Sequence, residues 1–135
     1  MLFVIMTNNK VLAERFWKAA NEGDLDTIAS IVADDCYFLH SDVSGKEQVV
    51  KHFKPEPELK WGQRVSRFTA EDNVVVVEST WHGNVAGPYF EYLLGEIVPG
   101  KTFELPMAMI MEFENGLLKT LNCIFNELEL KRSLS

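Results

Sequence analysis

The sequence predicts an α+β fold: three helices, then a meander of long antiparallel strands, with the helices packed on one face of a curved sheet. Three observations support this. Up to Phe53, apolar residues recur at helical spacing. From Trp61 onward the period falls to two, with a β-branched run at Val74–Val77. Asn115-Gly116 is a two-residue hairpin signal, because both residue types tolerate positive φ.

The elements follow in order. Thr7 is a plausible N-cap for a helix over residues 8–22, whose apolar face is Leu12, Phe16, Ala19 and Ala20. Residues 1–7 then form an N-terminal arm or strand. Trp17 cannot share the direction of Phe16, so it packs against a neighbouring element. Gly23 is the left-handed residue that ends the first helix, and Asp24 caps a second one built on Leu25, Ile28, Ile31 and Val32. Cys36–Leu39 is a short strand. Ser44-Gly-Lys-Glu47 has the spacing of a capping box for a third helix carrying Val49, Val50 and Phe53, stopped by Pro55 and Pro57. Arg64–Ala70, Val74–Gly83, Lys101–Phe113 and Leu117–Leu128 read as strands. Between them lies a looser connection with an aromatic segment, Tyr89–Leu94.

Composition narrows the function. The 135 residues suit one domain, given roughly 100–200 residues per domain. With 13 Lys+Arg against 20 Asp+Glu, the net charge of −7 disfavours a nucleic-acid binder, which needs a basic footprint. No apolar run approaches the roughly 20 residues needed to cross a membrane. Cys36 and Cys123 have no paired spacing, which fits a reducing, cytoplasmic setting with both thiols packed as small hydrophobes. Three scattered histidines, His40, His52 and His82, make no metal motif. The unusual feature is the 15 aromatics (9 Phe, 3 Trp, 3 Tyr) and 5 Met, a large set for a domain of this size.

Gly23-Asp-Leu-Asp26, Ile28, Ala33-Asp-Asp35 and Gly45 ahead of a Val-rich helix resemble the NTF2-like superfamily. So do Gly100-Lys-Thr-Phe103 and Met111-Glu-Phe-Glu-Asn-Gly116. The similarity is greatest to the SnoaL-like and ketosteroid-isomerase-like branches and spans residues 8–128. It implies a cone in which three N-terminal helices close a curved antiparallel sheet around a mostly apolar pocket. The superfamily's known chemistries match poorly here. The isomerase tyrosine falls on Phe16, its general base on His40 and its protonated aspartate near Met109. The Arg and Asp of limonene-epoxide-hydrolase-like members, near Ser79 and Trp81, are absent. The acidic residue of SnoaL-like cyclases falls on Asn126.

Strand parity then places side chains. Met107, Met109 and Met111 share one face with Val75, Val77, Ser79 and Trp81, and with Leu121, Cys123 and Phe125. Phe16, Ala20 and His40 complete the wall, and Trp61 and Tyr89–Tyr92 rim the mouth. Such a stripe is either a filled core or an adaptable apolar ligand pocket. His40 is the candidate proton-transfer group, since imidazole exchanges a proton near neutral pH; Asp42 is its candidate orienting partner. Ala108, Ile110 and Ile124 point to the outer face, a candidate homodimer surface.

The resemblance therefore implies an isomerase, cyclase or related lyase that needs no cofactor and acts on an apolar carbonyl compound. Two alternatives stay open: a non-catalytic module for an apolar ligand, and a dimeric interaction domain with a filled core.

Overall fold

The structure, a computed structural model, describes residues 2–58, 60–85, 88–95 and 100–134; side chains are described for 9–58, 60–85, 90–95 and 100–134. The element order is α1 (Leu2–Glu22), α2 (Leu25–Ile31), β1 (Val32–Phe38), β2 (Val43–Ser44), α3 (Lys46–His52), β3 (Trp61–Glu71), β4 (Val74–Asn84), α4 (Pro88–Leu94), β5 (Thr102–Glu114), β6 (Leu117–Ile124) and α5 (Glu127–Leu134). The six strands form one sheet in the order β2-β1-β6-β5-β4-β3. It is antiparallel except where β1 runs parallel to β6. The sheet is curved and unclosed, and the helices cover one face.

Local chemistry accounts for the turns. Gly23 has φ +72°, and its amide closes the end of α1 on the Ala20 carbonyl. Asp24 then caps α2, accepting from the Thr27 amide at 3.2 Å and its hydroxyl at 2.6 Å. Those hydrogen bonds hold the Asp24 carboxyl below its usual pKa. Asn115 and Gly116 both adopt positive φ, as a tight hairpin between twisted strands requires.

Four expectations are corrected. Helix α1 begins at Leu2, so Thr7 lies within it and residues 2–7 are helical rather than an arm. A short apolar run is ambiguous between strand and helix, and the continuing helix decides it. Ser44 does not cap α3. It pairs with Tyr37 in β2, and Gly45 (φ +89°) occupies the cap with no side-chain hydrogen bond. Tyr89–Leu94 lies in α4, where Pro88 takes the first helical position, one that needs no amide proton. Strand β6 stops at Ile124 rather than Leu128. Asn126 accepts from the Glu129 amide at 3.0 Å and starts α5, whose Leu130 and Leu134 are buried.

The core divides in two. The larger part joins α1, α2, α3 and β1 to the sheet through Phe16, Trp17, Ile28, Val49, Phe53 and the Met stripe. The smaller part places α4 and α5 over the other end of β5, with Phe90, Leu93, Phe103, Leu105 and Leu130 buried together. Trp81 and Phe125 pack against both parts.

Candidate functional site

Strand β5 shows the alternation that the sequence implies. Phe103, Leu105, Met107, Met109, Met111 and Phe113 are all buried, and the residues between them are half-buried or exposed. Val75, Val77 and Ser79 on β4, with Leu121 and Cys123 on β6, are buried on the same face. Cross-strand pairing aligns them in rows: Val75–Met111–Leu121, Val77–Met109–Cys123 and Ser79–Met107.

Exposure separates the rows. Phe16, Met109 and Met111 have no exposed surface, so no water-sized molecule touches them. Trp17 is also sealed and donates its indole N–H to the Met111 sulfur at 3.3 Å. This end is filled core. One row along, Met107 (7%), Ser79 (7%), Gln63 (6%) and Ala20 (7%) keep a little accessible surface, as does Cys123 (9%) at the β6 end of the Met109 row, and Trp61, Trp81 and Phe125 are half-buried. The candidate recess is thus the Met107 end of the stripe, where the inner face keeps accessible surface. Burial pushes the Cys123 thiol up to about 12 and, with the neighbouring Asp35 carboxylate, the Cys36 thiol up to about 11. Neither is a ready nucleophile.

Aromatic rings build the edge of the recess. Phe125 lies 5.2 Å from Trp81 and 5.0 Å from His40, centroid to centroid. Phe53 lies 5.9 Å from Trp61 and 5.3 Å from Phe16. Of the expected rim segment, Tyr92 is 83% exposed and Phe90 is buried 6.0 Å from Trp81, because the segment is helical and turns them to different faces. The Tyr89 side chain lies outside the described residues.

His40 follows β1 and is exposed, with its ring tilted against Phe125. Asp42 (φ +52°) accepts from the Tyr37 hydroxyl at 2.7 Å. That bond raises the Tyr37 pKa. A second histidine joins the group. His52, at the end of α3, sets its ring edge-on to Phe38 at 4.9 Å and to Phe53 at 5.2 Å. Desolvation, and secondarily the nearby His40 charge, lower its pKa below the ordinary histidine value. Among the described residues no cluster of three or more His, Cys, Asp or Glu could hold a metal.

Of the polar centre of the recess, the sequence placed Ser79 on the inner face and missed Gln63. Ser79 donates to Gln63 Oε1 at 2.8 Å, and Gln63 Nε2 donates to the Met107 sulfur at 3.3 Å. The main chain of Gln63 is clamped by Asn21, which accepts from its amide at 2.8 Å and donates to its carbonyl at 2.9 Å. Gln63 lies outside the strand expected to begin at Arg64, and a β-bulge would turn any alternation carried back to it. Counting back from the Asp72-Asn73 turn, Phe68 faces Val77 and Arg67 faces Glu78, but Val65 then faces Ser79. One residue is skipped at Ser66. Without that skip Gln63 would pair with His82 and point outward; with it, Gln63 pairs with Trp81 and points inward.

On the opposite face, Ala108 and Ile110 are half-buried and Ile124 is 51% exposed. Glu78 and Arg67 form an ion pair there, as do Arg64 and Glu104 at 2.7 Å.

A curved six-stranded sheet under N-terminal helices, with an apolar covered face, defines an NTF2-like α+β cone. Residues 13–120 match the SnoaL-like domain family model, and the chain belongs to that family. Solved structures agree on the fold. A candidate polyketide cyclase from Xanthomonas campestris pv. campestris superposes with TM-score 0.78 at 19% identity, covering 96% of this chain and 98% of that one. An LEH-like epoxide hydrolase from M. tuberculosis gives TM-score 0.76 at 16% identity, covering 96% and 90%. TsrD from Streptomyces laurentii gives 0.74 at 22% identity, covering 96% of each chain. A search of curated proteins gave no match.

Proposed function

We propose that this protein is a SnoaL-like enzyme, an isomerase, cyclase or related lyase that acts without a cofactor on an apolar carbonyl compound. His40 is its proton-transfer group. The observation that carries this reading is the position of His40. It stands beside Phe125 at the edge of a recess that is apolar apart from the Ser79–Gln63 pair. An apolar ring held between Trp81, Phe125 and Met107 would put its activated C–H toward the imidazole. His40 would take that proton, leaving a conjugated dienolate, and return it two carbons along the same system, where the dienolate also carries negative charge. Relatives described as polyketide cyclases and ketosteroid isomerases on this fold support the class of reaction. The free, buried thiols support a reducing, cytoplasmic setting. The half-exposed Ala108, Ile110 and Ile124 face supports a homodimer, which sedimentation velocity reads.

Deuterium exchange into 2-tetralone, followed by NMR in D2O, tests the reaction. The protein should accelerate exchange at the activated carbon, and His40→Ala should lose about a hundredfold or more of that acceleration, the usual range for a general base. Equal rates for the two proteins would remove His40 from the chemistry.

A further inference from the structure

Gln63 is an unusual residue to find buried on an edge strand. It is 6% exposed, and β3 has a neighbour on one side only. The direction of its carboxamide follows from the chemistry of its contacts. The atom 3.3 Å from Met107 Sδ is the nitrogen, which suits a thioether sulfur that accepts and cannot donate. The oxygen therefore faces Ser79, whose hydroxyl donates to it at 2.8 Å. Asn21 fixes the backbone on either side of the residue. The result is a preorganised N–H donor in a nearly dry site, held on one of the weakest acceptors a protein offers.

We propose that Gln63 Nε2 is the hydrogen-bond donor to the ligand's oxygen, and that the ligand is an uncharged ketone, ester or amide carried on an apolar body. A carbonyl oxygen is a far better acceptor than a thioether, so it displaces Met107 Sδ with a net gain, and the Met side chain moves aside at little cost. The donor set decides against a carboxylate. Gln63 and Ser79 are both neutral, and burying an anion against neutral donors alone is costly. Ser79 is a positioning residue: it acts on the ligand through Gln63 Oε1. In the proposed reaction the same N–H strengthens its bond as negative charge grows on the oxygen of the enolate.

The inference rests on the recess being a ligand site, and the test separates the two. Binding of 2-tetralone and of tetralin, the same skeleton without oxygen, is followed by tryptophan fluorescence. The carbonyl stretch of bound 13C=O-labelled 2-tetralone is followed by infrared difference spectroscopy. The wild type should prefer tetralone and lower its carbonyl frequency relative to an apolar solvent. Gln63→Met should lose about tenfold in tetralone affinity, the scale of one hydrogen bond in a dry site, with tetralin affinity unchanged. The frequency should return toward the apolar-solvent value. Ser79→Ala should give a smaller return, because the amide keeps its donor and loses its orientation.

Equal losses for both probes, or an unshifted carbonyl in the wild type, would overturn the assignment of Gln63. The infrared reading needs the wild type alone, so a poorly folding variant does not blunt the test. Failure of both probes to bind the wild type would overturn the ligand site and Gln63 together. Selective tetralone binding without deuterium exchange would uphold Gln63 and overturn the enzymatic reading.

Discussion

Met109 sits at the centre of the stripe, between Val77 on β4 and Cys123 on β6, with no exposed surface. A filled site has a distinctive response: both a larger and a smaller residue should destabilise it. Met109→Trp puts an indole where a thioether fits, and overpacking of this kind costs about 1–3 kcal/mol. Met109→Ala leaves a void that sealed neighbours such as Val77 close only in part, at a cost of about 2–5 kcal/mol. For a domain of this length, 1 kcal/mol corresponds to roughly 3–5 °C in Tm. The Trp variant should therefore melt about 3–15 °C below the wild type and the Ala variant further still. Urea denaturation followed by circular dichroism should show lower midpoints with unchanged slopes. An Ala variant of wild-type stability, or a Trp variant that keeps its stability and loses tetralone binding, would mean that a cavity reaches Met109. The division between filled core and recess would then be wrong.

Two further outcomes are expected. If the outer sheet face is a homodimer surface, Ile124→Lys should shift the sedimentation coefficient from dimer to monomer without changing the circular dichroism spectrum; an unchanged coefficient would rule that face out. His52 has a folded-state pKa below the ordinary value of 6.5. The unfolded chain therefore takes up a proton more readily than the folded one. The contribution of neutral His52 is whole above about pH 6.5, declines as pH falls through that value, and levels off below the folded-state pKa. His52→Gln should flatten the fall in urea midpoint between about pH 7.5 and pH 5.5. The carboxylates Asp24 and Asp35, held below their ordinary value of 3.8, titrate outside that window. A variant with the same pH dependence as the wild type would refute the assignment.

Much of the fold was legible because its signals are local. Gly23 followed by Asp24 marks a helix end and a helix start, and both do so in the structure. The Met107/Met109/Met111 alternation and the Asn115-Gly116 hairpin likewise depend on neighbouring residues alone. The capping box at Ser44 misled because the same serine could serve strand or helix, and pairing with Tyr37 takes it. Helix α5 left a readable signal in Asn126-x-x-Glu129 with Leu130 and Leu134 one turn apart. The continuing apolar alternation of β6 obscured it.

The sequence by itself determined that helices precede a run of long strands, and the face on which the Met stripe lies, because periodicity and turn chemistry are properties of adjacent residues; the order including α4 and α5 came only with the structure. The sequence could not decide how far along the stripe the interior is filled. That depends on which rings from α1 and α3 reach β5: Phe16, Trp17 and Phe53 close one end and leave the row at Met107 accessible. Nor could it place Gln63. One skipped residue at Ser66 reverses the facing of everything before it in β3, and alternation read from the turn contains no trace of that skip. The polar centre of this recess exists because a single bulge turned an outward glutamine inward.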